Sequence, residues 1–213
     1  MADLKAVQPP LVVILAAGAG RRLGQPKGAA ELLGGSSIEH LQRAARFGAG
    51  PGAEGCVVTG AHAEHVAAQI QVGFRQVHCP GWDAGRTGSL AAAVAAHPGR
   101  DLCVAPVDVP CVPPQVFRAL FAAWAASGSP ARGWLAPRTK DGRGRERFGH
   151  PLILGRNLAA ELPGADPDEP LRSWRERAAP LWSVEVSSPA VLDDLDEPRD
   201  LRRLRRLRLA GER

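Results

Sequence analysis

The feature that most constrains the fold is the segment LVVILAAGAGRRLGQPK, residues 11–27, in which an apolar run leads directly into glycines and cations. A continuous apolar run bounded by glycine is typical of a strand buried on both faces. Glycines after such a strand let backbone N–H groups come close to an anion. The segment therefore predicts a first β-strand that is followed by a phosphate-binding loop.

Strand-like and helix-like segments alternate along the rest of the chain. The predicted strands are 11–17, 56–59, 73–78, 102–107, 134–137, 149–154 and 181–186, the last at a sheet edge. The predicted helices are 36–47, 62–70, 90–97, 113–126, 156–162, a short one ending at 177, and a final one starting from 193–198. A polar loop is expected at 138–147. Such alternation predicts one α/β domain over residues 1–213, with a Rossmann-like, mainly parallel (mixed) sheet and helices on both faces.

Composition excludes several classes of function. No apolar run approaches the roughly 18 residues that cross a bilayer, so we expect a cytoplasmic protein without a membrane partner. The net charge of +5 comes largely from arginines near the end of the chain, and aromatic residues are only 5%. Nucleic-acid binding needs stacking aromatics within a basic patch, so no nucleic-acid partner is expected.

The four cysteines are scattered at positions 56, 79, 103 and 111, with no C-x-x-C pair. This spacing gives neither a zinc site nor a disulfide framework. Cys56 and Cys103 begin predicted strands. Small buried thiols are therefore the better interpretation.

The glycine-rich loop has two possible ligands, a dinucleotide or a nucleoside triphosphate. A Rossmann dinucleotide site has an acidic residue at the end of the second strand, whereas here that strand ends in Thr59 and Gly60. Beside the loop lie Arg21, Arg22 and Lys27. Three cations suit a triphosphate, because charge on a transferring phosphoryl group must be neutralised by fixed donors.

Two acidic positions are candidates for a metal ion. Asp108 follows the apolar strand 102–107, and ligands of open α/β sheets gather at the carboxyl ends of strands. Mg²⁺ uses one or two carboxylates, with phosphates and water completing its shell. Asp194 or Asp196 is the candidate second carboxylate, and the alternative for these residues is N-terminal capping of the last helix.

A donor-rich loop containing Arg86, Thr87 and Ser89 precedes an alanine-rich helix, which is a natural position for an anion site. The same residues also serve as ordinary caps. His150 lies just before a predicted strand, with no serine or cysteine nucleophile visibly paired with it. A substrate-positioning role is its functional interpretation, and a structural hydrogen bond is the alternative.

Five motifs, in this order, resemble the MobA-like NTP transferases, and within them the molybdenum cofactor cytidylyltransferase branch. They are LAAGAGRRLG (15–24) with Pro26 and Lys27, GWDAGRTGSL (81–90), DVP (108–110), GHP (149–151) and DLDEPRD (194–200). The resemblance implies a nucleotide-diphospho-sugar transferase-like fold. It also implies Mg²⁺-dependent transfer of a nucleoside monophosphate from an NTP to a phosphate, with release of pyrophosphate.

The resemblance also implies the site residues. Lys27, Arg21 and Asp108 would be catalytic, and Asp108 and Asp196 would hold the metal. Nucleotide contacts are expected from Leu15, Ala16, Ala17, Gly18, Ala19, Gly20, Arg21, Arg22, Lys27, Thr59 and Ser89. Contacts with the second substrate are expected from Gly85, Arg86, Thr87 and His150. In this family Leu-Ala-Ala-Gly accompanies cytidine, so residues 15–18 imply CTP, and molybdopterin is the implied acceptor.

One segment departs from the branch. A Gly-Asp-x-Gly-x-Arg element usually follows the Gly-His-Pro strand, but residues 164–172 read GADPDEPLR. The acceptor therefore stays open among molybdopterin and a sugar or alcohol phosphate, and a guanylyl-specific member is a further alternative. A non-catalytic nucleotide-binding chaperone that delivers cofactor to a recipient molybdoenzyme is an interpretation of a different class.

Overall fold

The computed structural model describes residues 8–50 and 52–211. The predicted domain of residues 1–213 thus includes a few positions, 1–7, 51 and 212–213, that lie outside the described residues. The strands are β1 (Leu11–Ala16), β2 (Glu31–Leu32), β3 (Gly35–Ser36), β4 (Gly55–Thr59), β5 (Phe74–His78), β6 (Leu102–Pro106), β7 (Trp134–Lys140), β8 (Glu146–Phe148), β9 (Leu152–Leu154) and β10 (Leu181–Glu185). The α-helices are α1 (Ser37–Ala49), α2 (Ala63–Ala67), α3 (Arg86–Ala96), α4 (Pro114–Ala126), α5 (Arg156–Ala159) and α6 (Pro198–Gly211).

The main sheet has the order β10-β7-β9-β6-β1-β4-β5, and β8 pairs with β7 outside this path. Strand β1 pairs in parallel with β4 and β6, and β4 pairs in parallel with β5. Strand β9 is antiparallel to both of its neighbours, while β10 is parallel to β7. The sheet is therefore mixed and mainly parallel, which confirms the predicted fold class, and β10 is the predicted edge strand.

Strand β1 is apolar throughout because it is buried on both faces. Val12 and Ile14 belong to one hydrophobic core with α1 and α4, whereas Val13 and Leu15 belong to a second core with α3. Helices on both sides of a parallel sheet require continuous rather than alternating apolar strands. The residues that predicted this strand therefore form the centre of both cores.

A third, smaller core joins the beginning of the chain to its end. Leu23, in the first loop after β1, and Leu32, on β2, pack with Leu195 before α6 and with Leu201 and Leu204 on α6. This contact brings residues 194–200 beside the first loop, although more than 160 residues separate them in the sequence. The small core thus determines which charged groups meet at the site.

The predicted loop at 138–147 is wrong at both of its ends, because β7 and β8 form an antiparallel hairpin there and leave only residues 141–145 as a turn. The Asp141 carboxylate accepts hydrogen bonds from the backbone N–H groups of Arg143 and Arg145, and Gly144 takes a positive φ of 75°. This carboxylate stabilises a tight turn that lets charged, exposed residues continue as strands.

Several helix boundaries differ from their predictions. Helix α2 ends at Ala67 rather than at residue 70, since the Gln42 side chain accepts from the Gln71 backbone N–H and donates to the Gln69 carbonyl. Helix α3 begins at Arg86, four residues before the predicted start. Helix α5 ends at Ala159, and a 3₁₀ helix over Leu162–Gly164 follows it. The predicted capping box of α1 is confirmed, with reciprocal bonds between Ser36 and Glu39.

The cysteines have the predicted character. All four are free, and Cys56 and Cys103 are fully buried. Burial raises the pKa of the Cys56 thiol to about 12, so this thiol stays protonated. No helix in the described part of the chain has the length and apolar character needed to span a membrane.

Candidate active site

A cavity of about 420 Å³ opens at the carboxyl ends of β1 and β6, where ligands of open α/β sheets bind. Its walls combine the first loop, the start of α3 and the residues that follow β6. The lining residues are Leu15, Ala17, Gly18, Ala19, Gly20, Arg21, Arg22, Lys27, Trp82, Asp83, Gly85, Arg86, Ser89, Pro106, Val107 and Asp108. Most of the residues predicted to contact nucleotide therefore surround one space.

The first loop turns back at Gly20, whose φ is +64°. The Gly20 carbonyl accepts from the backbone N–H groups of both Leu23 and Gly24, at 3.0 Å each. A Cβ at position 20 would lie 2.1 Å from the Gln25 carbonyl oxygen, whereas a Cβ at Gly18 would meet nothing within 4 Å. Gly20 is thus required by the turn, and Gly18 leaves open space at the cavity wall.

This difference gives a stability prediction. Gly20→Ala should lower the free energy of unfolding by about 2–4 kcal/mol, since it adds backbone strain to a steric clash. Gly18→Ala should change that free energy by less than about 0.5 kcal/mol. Urea denaturation of both variants measures the difference, and equal stabilities would show that the loop does not hold this turn.

The Lys27 ammonium lies between the cavity and the end of the chain. It donates a hydrogen bond to the Asp196 carboxylate, and Arg22 contacts the same carboxylate at 3.1 Å. The Lys27 side chain is only 18% exposed. The hydrogen bond and charge of Lys27, with the charge of Arg22, hold the pKa of Asp196 below its ordinary value. Asp196 is therefore a carboxylate held ionised beside the first loop.

The predicted capping role belongs to a different residue. The Asp200 carboxylate accepts from the backbone N–H groups of Asp196 and Glu197 at the start of α6. The Asp196 side chain instead faces Lys27 and Arg22.

Asp108 is tied to the same end of the chain. Its carbonyl accepts from the Leu195 backbone N–H at 2.6 Å, and its carboxylate contacts Arg86 at 3.2 Å. Desolvation and the negative charges of Asp108 and Asp196 raise the pKa of Asp194. The effect of both charges on Asp194 shows that the three carboxylates concentrate negative charge in one region.

This donor set fits a divalent metal ion that is shared with a nucleotide. No group of three or more His, Cys, Asp or Glu residues within the described ranges forms a complete protein-only metal site. Mg²⁺ does not need one, since it is commonly bound by one or two carboxylates together with substrate phosphates and water. Asp108 and Asp196 supply hard oxygen donors of this kind. The hydrogen bond from the Leu195 N–H to the Asp108 carbonyl joins their two segments, since Leu195 directly precedes Asp196.

A second cavity, of about 460 Å³, adjoins the first. Its walls come from β7, β8, the Gly149–Leu152 segment and the loop before residue 175. The lining residues are Arg86, Trp134, Ala136, Phe148, Gly149, His150, Leu152, Asp168, Glu169, Pro170, Leu171, Arg172 and Arg175. Arg86 also lines the first cavity, so its side chain stands at the junction of the two.

The second cavity combines an apolar floor with a charged rim, which holds three arginines together with the acidic residues Asp168 and Glu169. Trp134 and Leu152 are buried, while the Phe148 ring is exposed and carries the Arg175 guanidinium 5.0 Å above its centroid. Arg86 and Arg172 add positive charge to the lining. Such a cavity can accept a flat or apolar body that bears an anionic group.

His150 is held in the wall of the second cavity. Its backbone N–H donates to the Val191 carbonyl at 3.0 Å, and Nδ1 is buried with no hydrogen-bond partner among the described residues. Burial lowers the pKa of His150 to about 4, although the charge of Asp108 opposes this effect. The imidazole is therefore neutral near pH 7.

A pH-dependent stability follows from this burial. The folded protein keeps His150 neutral, while the unfolded chain takes up a proton near pH 6.5. The contribution of neutral His150 to the free energy of unfolding is therefore fully present above pH 6.5, and it is lost as the pH falls from 6.5 to about 4. His150→Gln does not titrate, so its free energy of unfolding should fall by about 1–3 kcal/mol less than that of the wild type across this window. Denaturation curves at pH 7 and pH 4.5 measure the difference, and parallel losses would contradict it.

Four of the predicted site residues do not line either cavity. Ala16 is buried in a core, and the buried Thr59 hydroxyl accepts from the Gln76 amide at 2.9 Å. The Thr87 hydroxyl donates to the Glu169 carbonyl at 2.7 Å and so anchors α3 to the loop of the second cavity. Asp196 approaches the first cavity only through Lys27 and Arg22.

Sequence reasoning did not select several of the lining residues. Trp82 and Asp83 line the first cavity, and Phe148, Arg172 and Arg175 line the second. A signal existed for Trp82 and Asp83, since they lie within the motif of residues 81–90. Of the other three residues, Phe148 directly follows the predicted polar loop, Arg172 ends the segment that departs from the branch, and Arg175 lies in the predicted short helix that ends at residue 177.

A mixed α/β sheet whose strand ends carry a glycine-rich cationic loop, with carboxylates beside it, defines a nucleotide-binding transferase. Residues 12–181 match the model of the MobA-like NTP transferase domain. The chain therefore belongs to the MobA-like NTP transferase family and is a nucleotidyltransferase. No curated protein sequence matches it.

Solved structures share this fold. A nucleotidyl transferase from Methanothermobacter is 26% identical, with a TM-score of 0.76 over 96% of this chain and 99% of that one. Rv0371c of Mycobacterium tuberculosis, in a complex with manganese, is 24% identical, with a TM-score of 0.72 over 93% and 99% of the chains. Molybdopterin-guanine dinucleotide biosynthesis protein A of Archaeoglobus fulgidus is 20% identical, with a TM-score of 0.69 over 93% and 98%.

Proposed function

We propose that this chain transfers CMP from CTP to the phosphate of molybdopterin, with Mg²⁺ as the metal, and releases pyrophosphate. The observation that carries the proposal is the pair of adjoining cavities. One contains the glycine-rich first loop, the other combines apolar walls with charged side chains, and Arg86, which contacts Asp108, lines both. A nucleotide and a phosphorylated acceptor placed in them have their reacting groups side by side.

The first loop and Lys27 would bind the triphosphate. Backbone N–H groups of residues 18–22 approach the phosphates, and Arg21 and Arg22 neutralise their charge. The Lys27 ammonium exchanges the Asp196 carboxylate for the α-phosphate as the nucleotide enters. Asp108 and Asp196 would hold Mg²⁺, which when bound neutralises charge on the phosphate oxygens.

The reaction is an in-line substitution at the α-phosphorus. An oxygen of the acceptor phosphate forms the new bond to phosphorus as the bond to the α,β-bridging oxygen breaks, and pyrophosphate leaves with that electron pair. A phosphate dianion needs no proton removal before it attacks, so positioning and charge neutralisation supply the catalysis. This requirement fits the first cavity, whose lining includes cations and the carboxylate of Asp108.

The preference for CTP rests on the resemblance of residues 15–18 to the cytidine-associated sequence of the family. Ala17 is buried at the cavity wall, at the end of β1. Its methyl group narrows the space beside the backbone compared with a glycine. A pyrimidine needs less room there than a purine.

The test is pyrophosphate release by the purified protein with each of the four NTPs, Mg²⁺ and molybdopterin. The proposal expects turnover with CTP at least tenfold above that with GTP. Preference for GTP would make the chain a guanylyltransferase, and turnover with sugar or alcohol phosphates alone would replace the acceptor. Tight CTP binding without turnover on any acceptor would support the chaperone interpretation.

A further inference from the structure

Arg86 pairs with one carboxylate and also lines the second cavity. Its guanidinium Nη2 lies 3.2 Å from an oxygen of the Asp108 carboxylate. The same side chain, 53% exposed, also lines the second cavity. Asp108 is the more enclosed partner, with 20% of its side chain exposed. Arg86 is thus a partly exposed cation that lies between the Asp108 carboxylate and the second cavity.

We propose that Arg86 couples the two cavities by exchanging the Asp108 carboxylate for the acceptor phosphate, an inference that rests on the proposed function. In the ligand-free protein, the Arg86 guanidinium forms an ion pair with the Asp108 carboxylate. When Asp108 becomes a ligand of Mg²⁺ bound with the nucleotide, the guanidinium loses this partner and turns to the phosphate of the acceptor. Arg86 therefore makes acceptor binding depend on prior loading of metal and nucleotide.

The backbone around Arg86 supports a movement of the side chain alone. Arg86 is the first residue of α3, and Gly85 before it has a φ of 141° with the Pro167 carbonyl oxygen 2.2 Å from its would-be Cβ. Thr87 after it is buried and anchored to Glu169. Both neighbours are held by the loop of the second cavity, so the exchange requires rotation of an exposed side chain and no shift of the helix.

Arg172 provides a matched control. It is an exposed arginine that also lines the second cavity, but it does not line the first. If positive charge in the second cavity were the only requirement, Arg86 and Arg172 would behave alike. Partner exchange makes them differ in every measurement that involves the metal.

The first measurement uses Mn²⁺ alone, followed by electron paramagnetic resonance of the nucleotide-free protein. Removing a cation that competes for Asp108 should tighten binding, so Arg86→Gln is expected to lower the Kd for Mn²⁺ by about 3–10-fold. Arg172→Gln should leave that Kd within twofold of the wild type. An unchanged or weaker Mn²⁺ affinity in Arg86→Gln would overturn the proposal.

The second measurement uses phenyl phosphate as a probe of the second cavity, by calorimetry with saturating α,β-methylene-CTP. In the wild type, Mg²⁺ in place of EDTA should tighten probe binding by at least threefold. Arg86→Gln should abolish this metal dependence, whereas Arg172→Gln should weaken the probe under both conditions and retain it. Metal dependence that survives in Arg86→Gln would overturn the coupling.

The outcomes separate this inference from the proposed function. If CTP and molybdopterin are turned over but the Mn²⁺ affinity of Arg86→Gln does not rise, the coupling is wrong and the function stands. If Arg86→Gln binds Mn²⁺ more tightly but no NTP is turned over, the exchange at Asp108 stands and the catalytic assignment is wrong.

Discussion

Lys27→Ala should reduce kcat/KM for nucleotidyl transfer by about 10²–10³-fold, because it removes a cation from the phosphate being transferred. The ammonium is partly buried beside the first loop, where an electrostatic contact is stronger than in water. Lys27→Arg should recover only part of the loss, since a planar guanidinium does not reproduce a compact point charge. Initial rates of pyrophosphate release with CTP, Mg²⁺ and acceptor measure the effect.

Lys140→Ala is the matched control. Lys140 is an exposed lysine at the end of β7, in the hairpin and outside both cavity linings. Its loss removes the same charge from the protein without touching the site, so the rate should stay within twofold of the wild type. Full pyrophosphate release by Lys27→Ala would show that the phosphate loop acts without this ammonium.

The sequence was sufficient to predict the sheet because its central strands are buried on both faces. The segments 11–16, 55–59 and 102–106 are mostly apolar because each of these strands is buried along its whole length. The position of the site followed from the same pattern, since it lies where β1 and β6 end. Local sequence patterns therefore predicted the edge of the sheet at which the first cavity lies.

The pairing of Lys27 with Asp196 could not be predicted in the same way. It depends on the small core that packs Leu23 against Leu195 and Leu204. Leucines of an amphipathic helix show which face is buried but not which loop covers it. The hydrogen bond from Lys27 to Asp196 joins residues 169 positions apart, so it depends on that packing and not on any local sequence pattern.

The second cavity was missed for a related reason. Phe148 reaches it because the turn at Asp141 folds β8 back against β7, and Arg172 and Arg175 reach it on a 3₁₀ helix, Leu171–Arg177. Both segments are rich in charge; the sequence predicted a polar loop for the first and a short helix ending at residue 177 for the second. Their charged side chains stabilise a hairpin and line a cavity instead, which composition alone does not distinguish.

Asp108→Asn should weaken Mn²⁺ binding by at least tenfold and reduce nucleotidyl transfer by about 10²–10³-fold. The amide keeps the shape of the side chain but loses the charge that both a divalent metal and Arg86 require. The carbonyl of residue 108 still accepts from the Leu195 N–H, so the segment around the site should remain in place. Electron paramagnetic resonance gives the metal affinity, and pyrophosphate release gives the rate.

Asp166→Asn serves as the control for charge loss, since Asp166 is exposed on the loop between the 3₁₀ helices Leu162–Gly164 and Leu171–Arg177 and lines neither cavity. Its Mn²⁺ affinity and its rate should both stay within twofold of the wild type. The direction of the Asp108 effect is also opposite to that of Arg86→Gln, because one variant removes the metal's ligand and the other removes its competitor. If Asp108→Asn retained both metal affinity and transfer, Asp196 and Asp194 would have to hold the metal without it, and the proposed arrangement of the site would be wrong.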